Sequence, residues 1–92
     1  MKVVLSQLLM EVFLPCYLLV KDTSYKHQGH HGFSGKEGTH FDVVLVTDLF
    51  ESLSLVQRHR QVNLACSALF DRGIHALSMK LYTVSEWRKL NG

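Results

Sequence analysis

Cysteine is scarce in this sequence: Cys16 and Cys66 stand fifty positions apart with no C-x-x-C pair. Both therefore read as reduced thiols, and a disulfide framework is excluded. Proline occurs once, at Pro15, and there is no low-complexity tract. Charge of one sign is also missing. Ten Lys and Arg stand against eight Asp and Glu, a formal net charge of +2, which is too even for a chain built chiefly to hold nucleic acid. A long apolar run is lacking as well. The opening "MKVVLSQLLMEVFLPCYLLV" is interrupted by Gln7 and Glu11, too often for a membrane span, and no A-x-A-like cleavage site follows it. No P-loop, dinucleotide-binding glycine pattern or carboxylate pair occurs either, so nothing argues for an enzyme.

What is present suffices for a small globular unit. The chain is 47% hydrophobic and 20% charged, which separates it from disordered sequences. Its length of 92 residues accommodates a single domain, residues 1–92, and no second core.

The pattern of apolar residues predicts the elements. Leu5, Leu8, Leu9, Val12 and Phe13 repeat at the spacing of one helical face, and Pro15 ends that helix. "CYLLVKD" predicts a short strand. "HFDVVLVTD", residues 40 to 48, is β-branched and apolar on both faces, as an inner strand covered on both sides would be. Ser54 with Gln57 and Thr83 with Glu86 are capping-box pairs that open two further helices. The first carries an apolar stripe of Leu55, His59, Val62, Cys66 and Leu69 and ends at Arg72 and Gly73. On that reading His59 faces the sheet as a packed core histidine, with Arg58 and Arg60 on the solvated sides. Cys66, on the stripe, is an inert buried thiol. "IHALSMKLY", Ile74 to Tyr82, is the third strand. The order α-β-β-α-β-α, with an antiparallel first pair and a crossover between parallel neighbours, predicts an α+β two-layer sandwich on a three-stranded mixed sheet.

Between the first two strands lies a segment of another character. "SYKHQGHHGFSGKEGTHF" holds four of the six histidines, separated by glycines, in a loop of roughly residues 23–39. Loops of this length in compact domains are functional or disordered. Gly29, Gly32, Gly35 and Gly38 produce overlapping G-x-x-G matches, but they join strands, whereas the nucleotide-clamping G-x-x-G joins helices. His27, His30 and His31 are candidate metal ligands. Zinc held by the loop imidazoles alone is the weakest alternative, since structural zinc sites normally include thiolates. His40 begins a strand, where a structural hydrogen-bonding role and a ligand role stand open together. His75 begins another, where a backbone-bonded histidine at the core edge and a metal ligand are the two readings.

Four stretches then align with one family. "PCYLLVKDTSYKHQGHHG" is similar to P-x-x-L-x-V-x-D-x-S followed by a histidine-bearing loop. "THFDVVLVTDLFE", "SLVQRHRQVN" and "GIHALSMKLYTVSEW" complete a pattern that resembles the BolA-like family over residues 4 to 88. The family's usual Gly-Lys after "FE" is replaced by Ser52 and Leu53, which removes a flexible turn residue and a charge. The resemblance implies a fold like a type II KH domain. It also implies a non-enzymatic protein, monomeric alone, that pairs with a monothiol glutaredoxin and shares a bridging [2Fe-2S] cluster with it, glutathione coming from the partner's side. His75 of "HAL" would be one ligand and a loop histidine, His27, His30 or His31, the other. Some family members regulate transcription. DNA is therefore the alternative partner, with Arg58, Arg60 and Lys80 as contacts, joined by Arg88 and Lys89. The expected location is cytoplasmic, with the mitochondrion as alternative.

Overall fold

The computed structural model describes residues 1–24 and 38–92. Helix α1 (Lys2–Phe13) leads into strand β1 (Tyr17–Asp22), and strand β2 (His40–Val46) follows. After a 3-10 turn (Asp48–Phe50) come helices α2 (Leu55–Ala65) and α3 (Ser67–Asp71), strand β3 (Ala76–Tyr82) and helix α4 (Val84–Asn91). The strands lie in the order β1-β2-β3, the first pair antiparallel and the second parallel. The α+β two-layer sandwich on a mixed sheet is therefore the observed fold.

The elements end where their residues require. Leu14 takes a left-handed conformation (φ 47°, ψ 55°) and its N–H bonds to the Met10 carbonyl, closing α1 just before Pro15. Both capping boxes form. Ser54 accepts from the Gln57 N–H while the Gln57 side chain accepts from the Ser54 N–H. Thr83 and Glu86 do the same at α4. No helix among the described residues is long and apolar enough to cross a membrane.

One core lies between the helices and one face of the sheet. It joins Leu5, Leu9 and Phe13 of α1, Val62 of α2, Cys66, Leu69 and Ile74 to Val20, Phe41, Val43, Leu45 and Leu81 of the strands. The inner strand is sealed on that face only. Opposite, His40, Asp42 and Val44 are half-buried and only Val46 is closed off. Val46 is flanked in register by Tyr17 and Tyr82, which pack on Trp87 of α4 at 5.0 and 5.6 Å between ring centres.

The middle of the chain departs from its predicted pattern. The expected single helix is divided at Cys66, which caps both α2 and α3, and β3 begins at Ala76, two residues late. The predicted stripe holds at Val62, Cys66 and Leu69 but fails in the first turn of α2. Arg58 and Val62 are buried, Leu55 is 61% exposed, and His59 is half-buried with Nδ1 donating to the Leu55 carbonyl at 2.8 Å. His59 is thus not a core histidine against the sheet, and Arg58 is not on a solvated side.

The reason is that Arg58 has everything a buried guanidinium needs. Its Nε donates to the Leu53 carbonyl (3.1 Å) and Nη1 to the Leu81 carbonyl (3.2 Å). A two-pronged pair with Glu86 follows, at 2.6 and 3.3 Å, and the group lies 5.8 Å from the centre of the Phe50 ring. A planar fork with this many fixed acceptors can be taken out of water at small net cost. It ties α2 to the end of β3 and to α4. The Arg58 and Thr83 hydrogen bonds outweigh burial and hold the Glu86 carboxyl below its ordinary range.

Candidate functional site at the loop base

Each end of the histidine-rich segment is built from residues of the quoted motifs. At the end of β1, Asp22 accepts the Ser24 N–H at one carboxylate oxygen and the Gly38 N–H at the other, both at 2.9 Å. Ser24 Oγ receives the Thr39 N–H (3.0 Å), the Thr39 hydroxyl (3.1 Å) and the His40 N–H (3.1 Å). The Thr23 N–H reaches the His40 carbonyl at 2.8 Å. Thr23, Ser24 and Thr39 are all buried, so these polar groups are satisfied by one another and not by water. The two ends of the predicted loop are thus clasped, a structural role for Asp22, Ser24 and Thr39 that reading the sequence missed. The signal was present as D-x-S before the segment and T-H after it.

Charge follows the same geometry. Burial alone would raise the Asp22 carboxyl. Hydrogen bonds from Ser24 and Gly38, with the nearby Lys2 cation, override it and leave the carboxyl below its ordinary value. Gly38 has φ 81°, and a Cβ there would lie 3.0 Å from Met1 Cβ, so a side chain would be strained on two counts.

The clasp also places His75. Its backbone N–H and that of Ala76 both donate to the Thr39 carbonyl, at 2.6 and 3.2 Å. His75 therefore stands just before β3, solvent-exposed, and beside His40, which pairs with Ala76 in the parallel register. The two imidazole centres are 5.6 Å apart with the rings at 82°. The His40 Nδ1 lies 2.9 Å from Thr39 Oγ1. An exposed imidazole at a rigid strand start can bind a metal or a partner group without first unpacking anything.

The remaining predicted residues are dispersed. His27, His30 and His31 lie outside the described residues, as do Gly29, Gly32 and Gly35. Arg58 is buried and fully used, so it is withdrawn as a partner or nucleic-acid contact. Arg60, Lys80, Arg88 and Lys89 are exposed, on α2, β3 and α4. Cys66 is fully buried and its thiol is pushed up to about 11 by burial, so it carries no thiolate at neutral pH. Cys16 is exposed at the start of β1. Among the described residues no three His, Cys, Asp or Glu side chains converge as a metal site.

Comparison with known proteins agrees with this architecture. The family profile described as BolA-like protein matches residues 9–86. The chloroplastic protein BOLA1 of Arabidopsis thaliana is 43% identical over 78% of this chain, which spans only 46% of that protein's length. The DNA-binding transcriptional regulator BolA of Escherichia coli strain K12 is 34% identical over 94% of this chain and 78% of its own. The solved BolA domain of SufE1 from Arabidopsis thaliana superposes with a TM-score of 0.84 at 34% identity, covering 92% of this chain and 93% of that one. By the profile match over residues 9–86, the likeness to these relatives and the shared fold, this chain belongs to the BolA-like family.

Proposed function

We propose that this protein is a non-enzymatic partner of a monothiol glutaredoxin, holding a [2Fe-2S] cluster jointly with it for assembly, transfer or iron sensing. The observation that carries the reading is the exposed imidazole of His75, fixed through its backbone at the base of the histidine-rich segment. The donor set fits such a role. The described residues offer imidazoles but no group of three donors, so a complete coordination sphere requires ligands from elsewhere. A partner thiolate and a histidine of residues 25–37 would supply them. Imidazole in place of thiolate on one iron raises a cluster's potential, which suits a cluster that is passed on or sensed.

Mixing the protein with a monothiol glutaredoxin, glutathione, iron and sulfide tests this. The expected result is a one-to-one complex whose visible absorption and circular dichroism differ from those of the glutaredoxin alone with cluster. Spectra that are the sum of the separate components would refute it.

DNA binding is the second reading, and the name of the Escherichia coli relative favours it. Its contacts reduce to Arg60, Lys80, Arg88 and Lys89 once Arg58 is withdrawn. A phosphate-led complex weakens steeply with salt. Binding that is absent at low salt, or indifferent to added salt, would eliminate it.

A further inference from the structure

Leu55 is in phase with the buried Val62 and Cys66 along one stripe of α2, yet it is 61% exposed. Leu90, on α4, is 64% exposed. The two leucines line a cleft of about 400 Å³ at the start of α2 and along α4, together with Tyr82, Glu86 and Lys89. That volume lies within the roughly 300–1,000 Å³ of clefts that take ligands. The apolar stripe of α2 thus runs out of the core into a space that its own chain leaves open.

Charge at the cleft has one sign. The Glu86 carboxylate is occupied, since it accepts from both terminal nitrogens of Arg58 and from the Thr83 N–H. Lys89 is exposed and makes no ion pair among the described residues, so its ammonium is uncompensated. A group that is apolar along its body and carries a carboxylate complements this arrangement. The body fills the space between the leucines over Tyr82, and the carboxylate pairs with Lys89. Two helices as walls suit a third laid between them, as amphipathic helices lie in apolar grooves. Nucleic-acid phosphates would meet Lys89 and leave the leucines unmatched.

From this geometry we infer that the α2–α4 cleft docks an acidic amphipathic helix of a partner protein, apolar residues on Leu55, Tyr82 and Leu90 and a carboxylate on Lys89. Tyr82 ends β3, whereas His75 stands just before that strand begins. The strand's 7 residues, at about 3.3 Å each, set the two more than roughly 20 Å apart. The cleft and a shared cluster can therefore be occupied at once, and the inference goes beyond the proposed function.

The probe is a synthetic helical peptide with leucine at every third or fourth position and glutamate on the flanking positions. Its counterpart with lysine for glutamate is the control. Titrated into the intact chain, the glutamate peptide is expected to shift the methyl NMR signals of Leu55 and Leu90. It should also change the fluorescence of Trp87, the only tryptophan, which packs on Tyr82. Leu90→Ser and Lys89→Glu are each expected to weaken that binding at least about fivefold. Both side chains are exposed, so far-ultraviolet circular dichroism is expected to stay that of the unsubstituted protein. The inference is overturned if the glutamate peptide shifts neither methyl at up to about 1 mM, or if the lysine peptide binds as tightly. Octanoate saturating the same methyls at lower concentration than the peptide would also overturn it, making the cleft a small-carboxylate site. Leu90→Ser is further expected to leave the heterodimer spectrum with glutaredoxin unchanged. Loss of that spectrum would make the cleft part of the glutaredoxin contact and overturn a separate partner. Failure of the unsubstituted heterodimer, with peptide binding intact, would refute the glutaredoxin reading alone.

Discussion

The backbone N–H of His75 donates to the carbonyl of Thr39 at 2.6 Å, so the start of β3 is pinned to the residue that closes the histidine-rich segment. That bond makes the segment's base and the exposed imidazole one rigid unit.

Ser24→Ala removes the acceptor for three donors, two of them backbone N–H groups. Leaving buried donors unpaired costs about 1–3 kcal/mol. Hydrogen exchange at the Thr39 and His40 amides is expected to accelerate at least tenfold, while amides in the middle of α1 change less. Uniform acceleration across the chain would mean that Ser24 supports global stability and not the clasp.

Arg58→Ala strands the Leu53 and Leu81 carbonyls and the Glu86 carboxylate. A loss of about 2–4 kcal/mol is expected in urea unfolding. Arg58→Lys should recover little of it, because an ammonium cannot reach both carbonyls and both carboxylate oxygens at once. Wild-type stability in either variant would remove Arg58 as the tie between α2, β3 and α4.

Ser52 has φ 66°, in the left-handed region that costs a residue with a Cβ about 1–2 kcal/mol. It is also the position where the family pattern carries glycine. Ser52→Gly is therefore expected to raise stability by about 1 kcal/mol, read as a higher urea midpoint, whereas Ser52→Val should lower it. A destabilised glycine variant would show that Ser52 makes a contact worth more than its strain.

Acid should unfold the protein through two carboxylates. Asp22 and Glu86 are both held below their unfolded values of 3.8 and 4.5. A depressed carboxyl adds stability that is fully present above the unfolded value and is lost as pH falls through the folded one. Stability is thus expected to be insensitive to these groups above about pH 5 and to decline below it. Asp22→Asn should flatten part of that decline, and an unchanged acid slope would contradict the assignment.

Much of this was legible in the sequence, for identifiable reasons. Pro15, the two capping boxes and the β-branched run of β2 are local signals, and the elements they predict are observed. The parallel pairing of β2 with β3 followed from the helical crossover between them, and the antiparallel first pair is also as expected. The burial of the first turn of α2 was not legible, because a pattern reading assigns arginine to solvent. Arg58 is buried through acceptors at Leu53, Leu81 and Glu86, two of which are more than twenty residues away. His59 was misplaced with it. The nearness of His40 and His75 was likewise hidden, since it depends on the register that sets His40 opposite Ala76. The Asp22–Ser24–Thr39 clasp lay within the motifs, but its purpose is visible only when both ends of the segment are seen side by side.

The most direct test of the central claim is the heterodimer spectrum of His75→Ala. The substitution removes an exposed side chain whose backbone bond to Thr39 is kept, so the fold is expected to persist in far-ultraviolet circular dichroism. With glutaredoxin, glutathione, iron and sulfide, the variant should lose the visible dichroism bands of the mixed complex or revert to those of the glutaredoxin alone. A spectrum indistinguishable from that of the unsubstituted protein would contradict the account.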